Sequence, residues 1–278
     1  MQKKSAISLI SYDAEYLPAS IMSYYAYVDE IILGLDKNRK TWAGNTFKFD
    51  EQDLYRQLSN IDGDNKITII EDDFCVSNVF IENDNYERNF LKKQCTHDWI
   101  FSFDADEELI NANHFFETYL PIVEPYYKEY DLAFNWFLPY KEFEDIYLMI
   151  TDDHGNWDLN ETQGFANWSN HEFVYARWTN NAQSNKKLLK TPLAILHWSI
   201  CRKDKDLHQK INNIGHADLV EKDPFYDIWL RINPQNYAEL KNFKTSGLGD
   251  PAQWARLTAV DKQEFRRKAI EQAEGIAI

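Results

Sequence analysis

The sequence predicts an α/β fold in which helices flank a mostly parallel β-sheet. Through residues 5–103, short apolar runs alternate with longer amphipathic runs, which is the order of strands and helices in a parallel sheet. The apolar runs are nearly continuous, as expected for strands that are covered on both faces. A chain of 278 residues that is 44% hydrophobic is large enough to bury the core of such a sheet.

The first half of the chain provides most of the predicted sheet. Four predicted strands cover 5–11, 28–36, 66–70 and 99–103. Each is apolar and rich in β-branched or aromatic residues. A helix is predicted in each interval: the first follows Asp13, which can cap it, and the second covers 50–61. The third covers 84–95, where Asp84 and Glu87 have the spacing of a capping box.

The second half of the chain shows fewer regular patterns. Residues 130–140 are predicted to form another strand, and residues 205–216 a helix that ends at Gly215. A terminal helix is predicted after Asp261 and Glu264, which form a further capping box. This half therefore adds one strand and two helices to the predicted fold.

Charge and composition narrow the range of partners and compartments. A formal net charge of −15 makes nucleic acid and anionic membrane surfaces poor partners, because both are repelled by an acidic surface. No run approaches the roughly 20 apolar residues of a membrane span, so we predict no transmembrane segment. The N-terminal residues lack the features of a signal peptide, and the three cysteines suggest a reducing compartment. We therefore expect a soluble cytoplasmic protein.

The most informative segment is DWIFSFDADEEL, residues 98–109, in which an apolar strand leads directly into four acids. Asp104 and Asp106 are two residues apart, and their charges repel each other unless a cation neutralises them. Mg²⁺ and Mn²⁺ prefer such oxygen ligands and keep sites open for phosphate groups. The alternative is structural: Glu107 and Glu108 could begin a helix, whose N-terminus attracts negative charge.

Several segments resemble those of nucleotide-sugar glycosyltransferases with the GT-A fold, in the large family-two group. The D-x-D segment described above resembles theirs, and residues 7–36 resemble their opening strand, helix and strand. Residues 87–107 resemble the Arg-Asn helix that precedes the D-x-D strand. NHEF at 170–173 and LAILHWSICRKDKDLHQKINNIGH at 193–216 resemble a His-Glu segment and a His-x-Ser segment of a bacterial subgroup.

The resemblance implies how a nucleotide-sugar donor is bound. Asp106 is expected to ligate the Mn²⁺ or Mg²⁺ that holds the diphosphate, and Asp104 to contact the metal or the ribose. His197 is expected beside the metal or the diphosphate. Asp36 is expected near the nucleobase or ribose, and Arg88 near the nucleotide. A UDP-sugar is the donor that this reading favours.

Two further roles complete the predicted site. Arg202 is a candidate to reach a phosphate group. The resemblance makes Glu172 the candidate general base that removes the proton of the acceptor hydroxyl. Asp152 and Asp153 are the rival candidates for the base. Together these assignments predict that an acidic protein binds an anionic donor through a metal and a few basic side chains.

The sequence therefore predicts a metal-dependent glycosyltransferase of polysaccharide biosynthesis. It would move a sugar onto a glycan, lipid-linked or protein acceptor, and the family resemblance implies a hexose and inversion at the anomeric carbon. Residues 1–200 are predicted to form the catalytic domain, with the nucleotide-sugar half at 1–110 and the acceptor half at 111–200. Residues 201–278 are predicted to form a helical extension packed on it. The alternatives are a metal-dependent phosphohydrolase or nucleotidyltransferase, and a non-catalytic carbohydrate-binding protein.

Overall fold

The computed structural model of the chain describes residues 2–127, 130–157, 163–183, 187–218, 222–245, 250–251 and 255–276. The strands are β1 Lys4–Ile10, β2 Glu30–Asp36, β3 Ile67–Asp72, β4 Trp99–Ser102, β5 Glu107–Leu109, β6 Asp131–Phe137, β7 Pro139–Glu142, β8 Ile146–Thr151, β9 Gln163–Trp168, β10 Phe173–Tyr175, β11 Trp178–Thr179, β12 Leu188–His197 and β13 Arg256–Asp261. The α-helices are α1 Leu17–Tyr24, α2 Glu51–Ile61, α3 Phe80–Gln94, α4 Leu120–Val123, α5 Asn180–Gln183, α6 Asp204–Ile211, α7 Lys222–Arg231 and α8 Phe265–Glu274.

The central sheet has eight strands in the order β3-β2-β1-β4-β9-β6-β12-β5. The neighbours β3, β2, β1 and β4 are parallel, and so are β6 and β12. Strand β9 runs antiparallel to both β4 and β6, so that these two groups of strands share one direction. The predicted fold class is confirmed: the chain is an α/β protein with a mostly parallel sheet flanked by helices, consistent with a GT-A-like fold.

The core explains why the apolar strand before the D-x-D segment is rigid. Trp99, Phe101 and Phe103 are fully buried, and the Phe101 ring stacks on Phe134 of β6 at a centroid distance of 6.3 Å. Burial of each such side chain contributes about 1.5–3 kcal/mol to folding. The strand is therefore held in place where it delivers Asp104 and Asp106.

The C-terminal part of the chain contains a strand as well as helices. Strand β13 pairs antiparallel with β8, which also pairs with β7, in a separate three-stranded sheet. Leu207 of α6 and Trp229 of α7 are buried in the hydrophobic cluster that also includes Leu148 of β8 and Leu257 of β13. The sequence predicted only helices here, because a strand that pairs far along the chain has no local signal.

Two predicted helix caps are wrong, and the acids involved have other roles. Helix α1 begins at Leu17 without a side-chain cap, and Asp13 instead forms an ion pair with Arg202. Helix α3 begins at Phe80, so Asp84 and Glu87 lie inside it and are buried. A charge at the right spacing resembles a cap in the sequence, because spacing carries no information about burial.

Three further expectations about element ends are corrected. Helix α6 ends at Ile211 rather than at Gly215, and helix α8 begins at Phe265 without the predicted side-chain cap. Residues Glu107–Leu109 form strand β5, so the helix start considered for them is absent. Within the described residues, no helix combines the length and the apolar character that crossing a bilayer requires.

Candidate active site

A cavity lies at the carboxyl edge of the central sheet, where ligands of parallel α/β sheets bind. It is formed by the residues that follow β1, β2 and β4, together with α6. Ionisable side chains that line it are Asp13, Asp36, Lys40, Glu87, Asp104, Asp106 and Lys210. The cavity lies beyond the carboxyl end of β4, where the sequence predicts that the donor binds.

Hydrogen bonds to the backbone hold residues 103–106, called the D-x-D turn below, on both sides. The Phe103 amide donates to the Ile7 carbonyl of β1 at 3.1 Å. The Ser20 hydroxyl of α1 donates to the Asp104 carbonyl at 3.1 Å. The Trp198 amide donates to the Asp106 carbonyl at 2.9 Å. The turn is therefore tied to β1, to α1 and to the segment after β12, and the two aspartates have little freedom to move.

Asp106 is buried between two cations. Its Oδ2 atom accepts hydrogen bonds from Arg202 Nη2 and from Lys210 Nζ, the latter at 2.6 Å. The same Arg202 nitrogen lies 3.1 Å from Oδ2 of Asp13. Burial by itself raises the pKa of Asp106, but the charges of Lys210 and Arg202 outweigh it and hold this pKa well below its usual range. The Asp106 carboxylate is therefore ionised.

Asp104 is also paired with two cations, but it reaches the surface. Its Oδ1 accepts a hydrogen bond from Arg88 Nη2 at 2.9 Å, and its Oδ2 lies 3.4 Å from Arg177 Nη2. Arg88 is held by Asp84 and Ser102, at 2.5 and 2.8 Å. Burial raises the pKa of Asp104, yet Arg177 and Arg88 lower it further, so the net shift is downward. Arg88 thus lies beside Asp104 with acids as its direct ionic partners, and its predicted place near the nucleotide stays a prediction.

Glu107 forms the inner wall of the cluster. Its two oxygens accept hydrogen bonds from Arg177 Nη1 at 2.9 and 2.7 Å, and Oε1 accepts one from Trp136 Nε1 at 2.9 Å. Oε2 also accepts the Asp104 amide at 3.0 Å. Arg177 comes from the hairpin of β10 and β11, whose turn is made at Ala176 with a positive φ of 50°. The hairpin thus carries a buried cation to the D-x-D turn.

His197 ends β12 and pairs in register with Glu107 of β5. Its Nε2 lies 3.7 Å from Oδ1 of Asp106, and the Trp136 ring lies against the imidazole at a centroid distance of 4.5 Å. Burial lowers the pKa of His197 to about 3, so the ring is neutral at ordinary pH. Among the described residues, neither His197 Nδ1 nor Asp106 Oδ1 has a hydrogen-bond partner.

These contacts test whether the predicted ligands fit a divalent ion. Ligand atoms of Asp104, Glu107 and His197 lie within 4.8 Å of one another, which is close enough for an ion. However, the Glu107 oxygens already accept several hydrogen bonds, and Asp106 Oδ2 is shared by two cations. The predicted set of Asp104, Asp106 and His197 therefore does not fit a metal ion unless Arg202 and Lys210 move away.

Asp36 lines the cavity, but it also organises the loops around it. Its Oδ1 accepts the amides of Asn38 and Lys40 at 2.8 and 3.0 Å, and its Oδ2 accepts the amide of Phe74 at 2.9 Å. Oδ1 thus stabilises the turn that places Lys40 at the cavity, and Oδ2 ties the segment after β3 to it. Its predicted contact with the nucleobase or ribose stays a prediction.

Glu172 is not brought together with the acid cluster. It is exposed, and it lies near Ser169, whose amide donates to the Asp98 carbonyl at 2.8 Å, at the amino end of β4. The rival candidates Asp152 and Asp153 follow β8, and Asp152 accepts the amides of the turn that it begins. No geometric observation therefore assigns a general base among these three acids.

Two cations at the D-x-D turn, Lys210 and Arg177, were not predicted from the sequence. Lys210 had a usable signal, because it follows Leu207 by three residues and so lies on the buried face of a predicted helix. A lysine on an apolar face implies a partner of opposite charge. Arg177 had no comparable signal, since only the folded hairpin carries it to Glu107.

Comparisons with known proteins report a likeness of fold. No protein-family model and no curated protein sequence matches the chain. The structure is similar to that of S. aureus TarS 1–349 in complex with UDP, with 8% identity over 85% of this chain and 77% of that chain and a TM-score of 0.42. For S. aureus TarS 1–349 in complex with UDP-GlcNAc, the identity is 11% over 84% of this chain and 77% of that chain, and the TM-score is 0.44. For S. aureus TarS, the identity is 11% over 86% of this chain and 45% of that chain, and the TM-score is 0.42.

Proposed function

We propose that the chain is a glycosyltransferase that moves a sugar from a nucleotide diphosphate donor to an acceptor hydroxyl. One observation carries the proposal: the buried D-x-D turn stands at the carboxyl-edge cavity and gathers Arg88, Arg202 and Lys210 around it. In a chain of net charge −15, these cations offset the aspartates of the cavity, and Lys40 and Lys210 in its lining supply positive charge that an anionic ligand can meet. The sequence resemblance supplies the class of ligand.

The proposed reaction is a displacement at the anomeric carbon of the donor. The acceptor oxygen forms the new bond to this carbon, the bond to the diphosphate oxygen breaks, and the electron pair leaves with the diphosphate. The hydroxyl proton passes to a general base. Fixed cations at the cavity stabilise the charge that develops on the leaving diphosphate. The resemblance favours inversion at the anomeric carbon.

The donor that we propose is a UDP-sugar, and the acceptor is a hydroxyl of a glycan, a lipid-linked sugar or a protein. The donor class rests on the resemblance of the D-x-D segment and of residues 193–216 to the glycosyltransferase segments. The metal dependence that the sequence predicted is not part of this proposal, because Asp106 is already shared by Arg202 and Lys210.

The proposal is tested by product analysis with a panel of UDP-sugars that includes UDP-GlcNAc. The purified chain is incubated with each donor, with and without a mixture of glycan acceptors, and released UDP, UMP and inorganic phosphate are measured separately. We expect release of UDP from one donor, without phosphate. The Asp104→Asn variant is expected to lose most of this activity, because the charge that orients Arg88 and Arg177 is removed.

Asp131→Asn is the matched control, since Asp131 is a buried aspartate at the other edge of the same sheet. Release of UMP and a sugar phosphate in place of UDP would identify a phosphohydrolase. Binding of UDP without any turnover would favour the non-catalytic alternative. Equal loss of activity in both variants would mean that the D-x-D turn has no special part in the reaction.

A further inference from the structure

We propose that Lys210, supported by Arg202 and Asp106, neutralises the diphosphate of the donor, and that this chain binds its donor without a divalent metal ion. This inference rests on the proposed function and concerns the same cavity. It departs from the metal-dependent reading of the D-x-D segment, in which the aspartates serve as ligands of an ion.

Asp106 binds two basic side chains in the structure. Its buried carboxylate joins a cation from the segment after β12 to a cation from α6. The Arg202 side chain is 1% exposed, and its guanidinium is fixed from behind by the carbonyls of Trp198 and Ser199, at 3.2 and 3.1 Å. Asp106 is therefore an anchor for two basic side chains, and these hold the position that an ion would need.

The two cations differ in their access to the cavity. Arg202 is enclosed, with the Tyr16 ring 4.6 Å from its guanidinium carbon. Lys210 lines the cavity, and its side chain keeps 11% of its exposure. Of the two, Lys210 is the one whose ammonium group can meet a ligand. Arg202 acts through Asp106 and is a positioning residue.

A ligand that enters the cavity meets a second lysine besides Lys210. Lys40, from the turn that Asp36 organises, also lines the cavity and is exposed. The aspartates of the D-x-D turn are paired with arginines, Asp104 with Arg88 and Asp106 with Arg202, so the two lysines of the lining can match the two negative charges on the diphosphate of a nucleoside diphosphate sugar. Lys40 and Lys210 come from separate elements, so they can meet the two phosphates from different sides.

The carboxylates around the D-x-D turn already have partners, which leaves few oxygens for a metal ion. Mg²⁺ demands near-octahedral geometry and is bound through carboxylate oxygens. Of the buried oxygens of Asp106 and Glu107, only Oδ1 of Asp106 lacks a hydrogen-bond partner among the described residues, and the two oxygens of the partly exposed Asp104 face Arg88 and Arg177. A divalent ion at this oxygen would lie beside Arg202 and Lys210 and be repelled by both. The cluster therefore functions with its own cations.

The test uses UDP as the probe and isothermal titration calorimetry as the measurement. The chain is treated with EDTA and titrated with UDP, first with the chelator present and then in buffer with MnCl₂. We expect UDP to bind in EDTA, and Mn²⁺ to change the Kd by less than threefold. Mn²⁺ binding to the chain alone, measured by the loss of its free electron paramagnetic resonance signal, is expected to be negligible at micromolar concentrations.

Variants of α6 then identify the cation. Lys210→Met is expected to weaken UDP binding in EDTA by at least tenfold, and Lys210→Arg to retain it within threefold because the charge is kept. Lys205→Met is the matched control, since Lys205 is an exposed lysine on the same helix. Urea unfolding of each variant checks that it is folded. If Lys210→Met does not fold, the comparison of EDTA with Mn²⁺ on the unaltered chain still decides whether UDP binding requires a metal ion.

The possible failures are distinguishable. UDP binding that appears only with Mn²⁺ would overturn the inference and leave the proposed glycosyltransferase intact. Equal weakening by Lys205→Met and Lys210→Met would also overturn it, because the effect would then be one of net charge. If no nucleotide diphosphate binds with or without metal, the proposed function itself fails.

Discussion

Two edges of the same sheet hold a fully buried aspartate, and they differ in what surrounds it. At the carboxyl edge, Asp106 is shared by Arg202 and Lys210 beside a cavity. At the amino edge, Asp131 begins β6 and accepts hydrogen bonds from His171 Nδ1, at 2.9 Å, and from the Thr179 hydroxyl. The first arrangement concentrates charge where a ligand can enter.

The amino-edge arrangement has a purely structural explanation. His171 precedes β10 and Thr179 ends β11, so the two hydrogen bonds of Asp131 tie this hairpin to β6. The same hairpin carries Arg177 to Glu107. The comparison teaches that a buried acid by itself does not mark a site. The mark is a buried acid that holds several cations next to a cavity.

The largest effect is expected from removing the carboxylate at the carboxyl edge. Asp106→Ala leaves Arg202 and Lys210 buried, with Asp13 as the remaining acid beside them in the described part of the chain. Loss of one partner of a buried ion pair costs about 3–5 kcal/mol, so we expect a loss of this size in the free energy of unfolding. Urea denaturation followed by tryptophan fluorescence measures it. A loss below about 1 kcal/mol would show that the cluster is hydrated rather than buried.

A pH titration sharpens the view of the same edge. Glu87 also lines the cavity, and burial raises its pKa to about 8. Between its ordinary pKa and pH 8, the folded chain keeps a proton that the unfolded chain releases, so stability falls as pH rises through this range. The slope from one such group reaches about 1.4 kcal/mol per pH unit.

The Glu87→Gln variant removes this titration, and its stability is expected to fall less than that of the unaltered chain between pH 5 and pH 8. The free energy of unfolding is measured in urea at intervals of half a pH unit. Parallel pH profiles for the two proteins would mean that Glu87 is ionised in the folded chain, and that its hydrogen bond from Trp42 Nε1 holds a carboxylate.

A smaller effect is expected at the amino edge. Asp131→Asn keeps the shape of the side chain but weakens its hydrogen bonds with His171 and Thr179. We expect a loss of about 1–3 kcal/mol in the free energy of unfolding, with the UDP affinity unchanged within twofold. Should this variant lose UDP binding as strongly as Asp106→Ala does, the two edges would not differ in function.

The smallest effect is expected from Glu172→Gln. The residue is exposed and lies near the amino end of β4, so we expect the Kd for UDP to stay within twofold. The transfer rate with the best donor and acceptor is measured in the same preparation. A loss of turnover of a hundredfold or more, with donor binding intact, would restore the general-base role that the sequence resemblance assigned to Glu172.

Local patterns predicted the framework of the fold because they depend on local chemistry. The continuous apolar run at Trp99–Ser102 identifies a strand covered on both faces, and the acids that follow it locate the carboxyl edge. Helix caps were predicted less well. Asp13 and Asp84 have the spacing of caps, but each forms an ion pair with an arginine that the spacing does not reveal.

Some of the predicted site residues lie together in the structure, and their roles stay predictions. They are Asp104, Asp106, Arg88, His197 and Arg202. The remaining cations are Lys210 on α6 and Arg177 on the β10–β11 hairpin, and each reaches the turn from a distant part of the chain.

By itself, the amino-acid sequence determined the mostly parallel sheet, the edge at which its acids gather, and the presence of two aspartates in one short turn. Those features follow from the order of apolar and polar residues along a strand. Only the tertiary structure decided which charges neutralise Asp106. A buried carboxylate takes its properties from whatever cations lie within a few ångströms, and the chain brings Arg202 and Lys210 there across about a hundred residues.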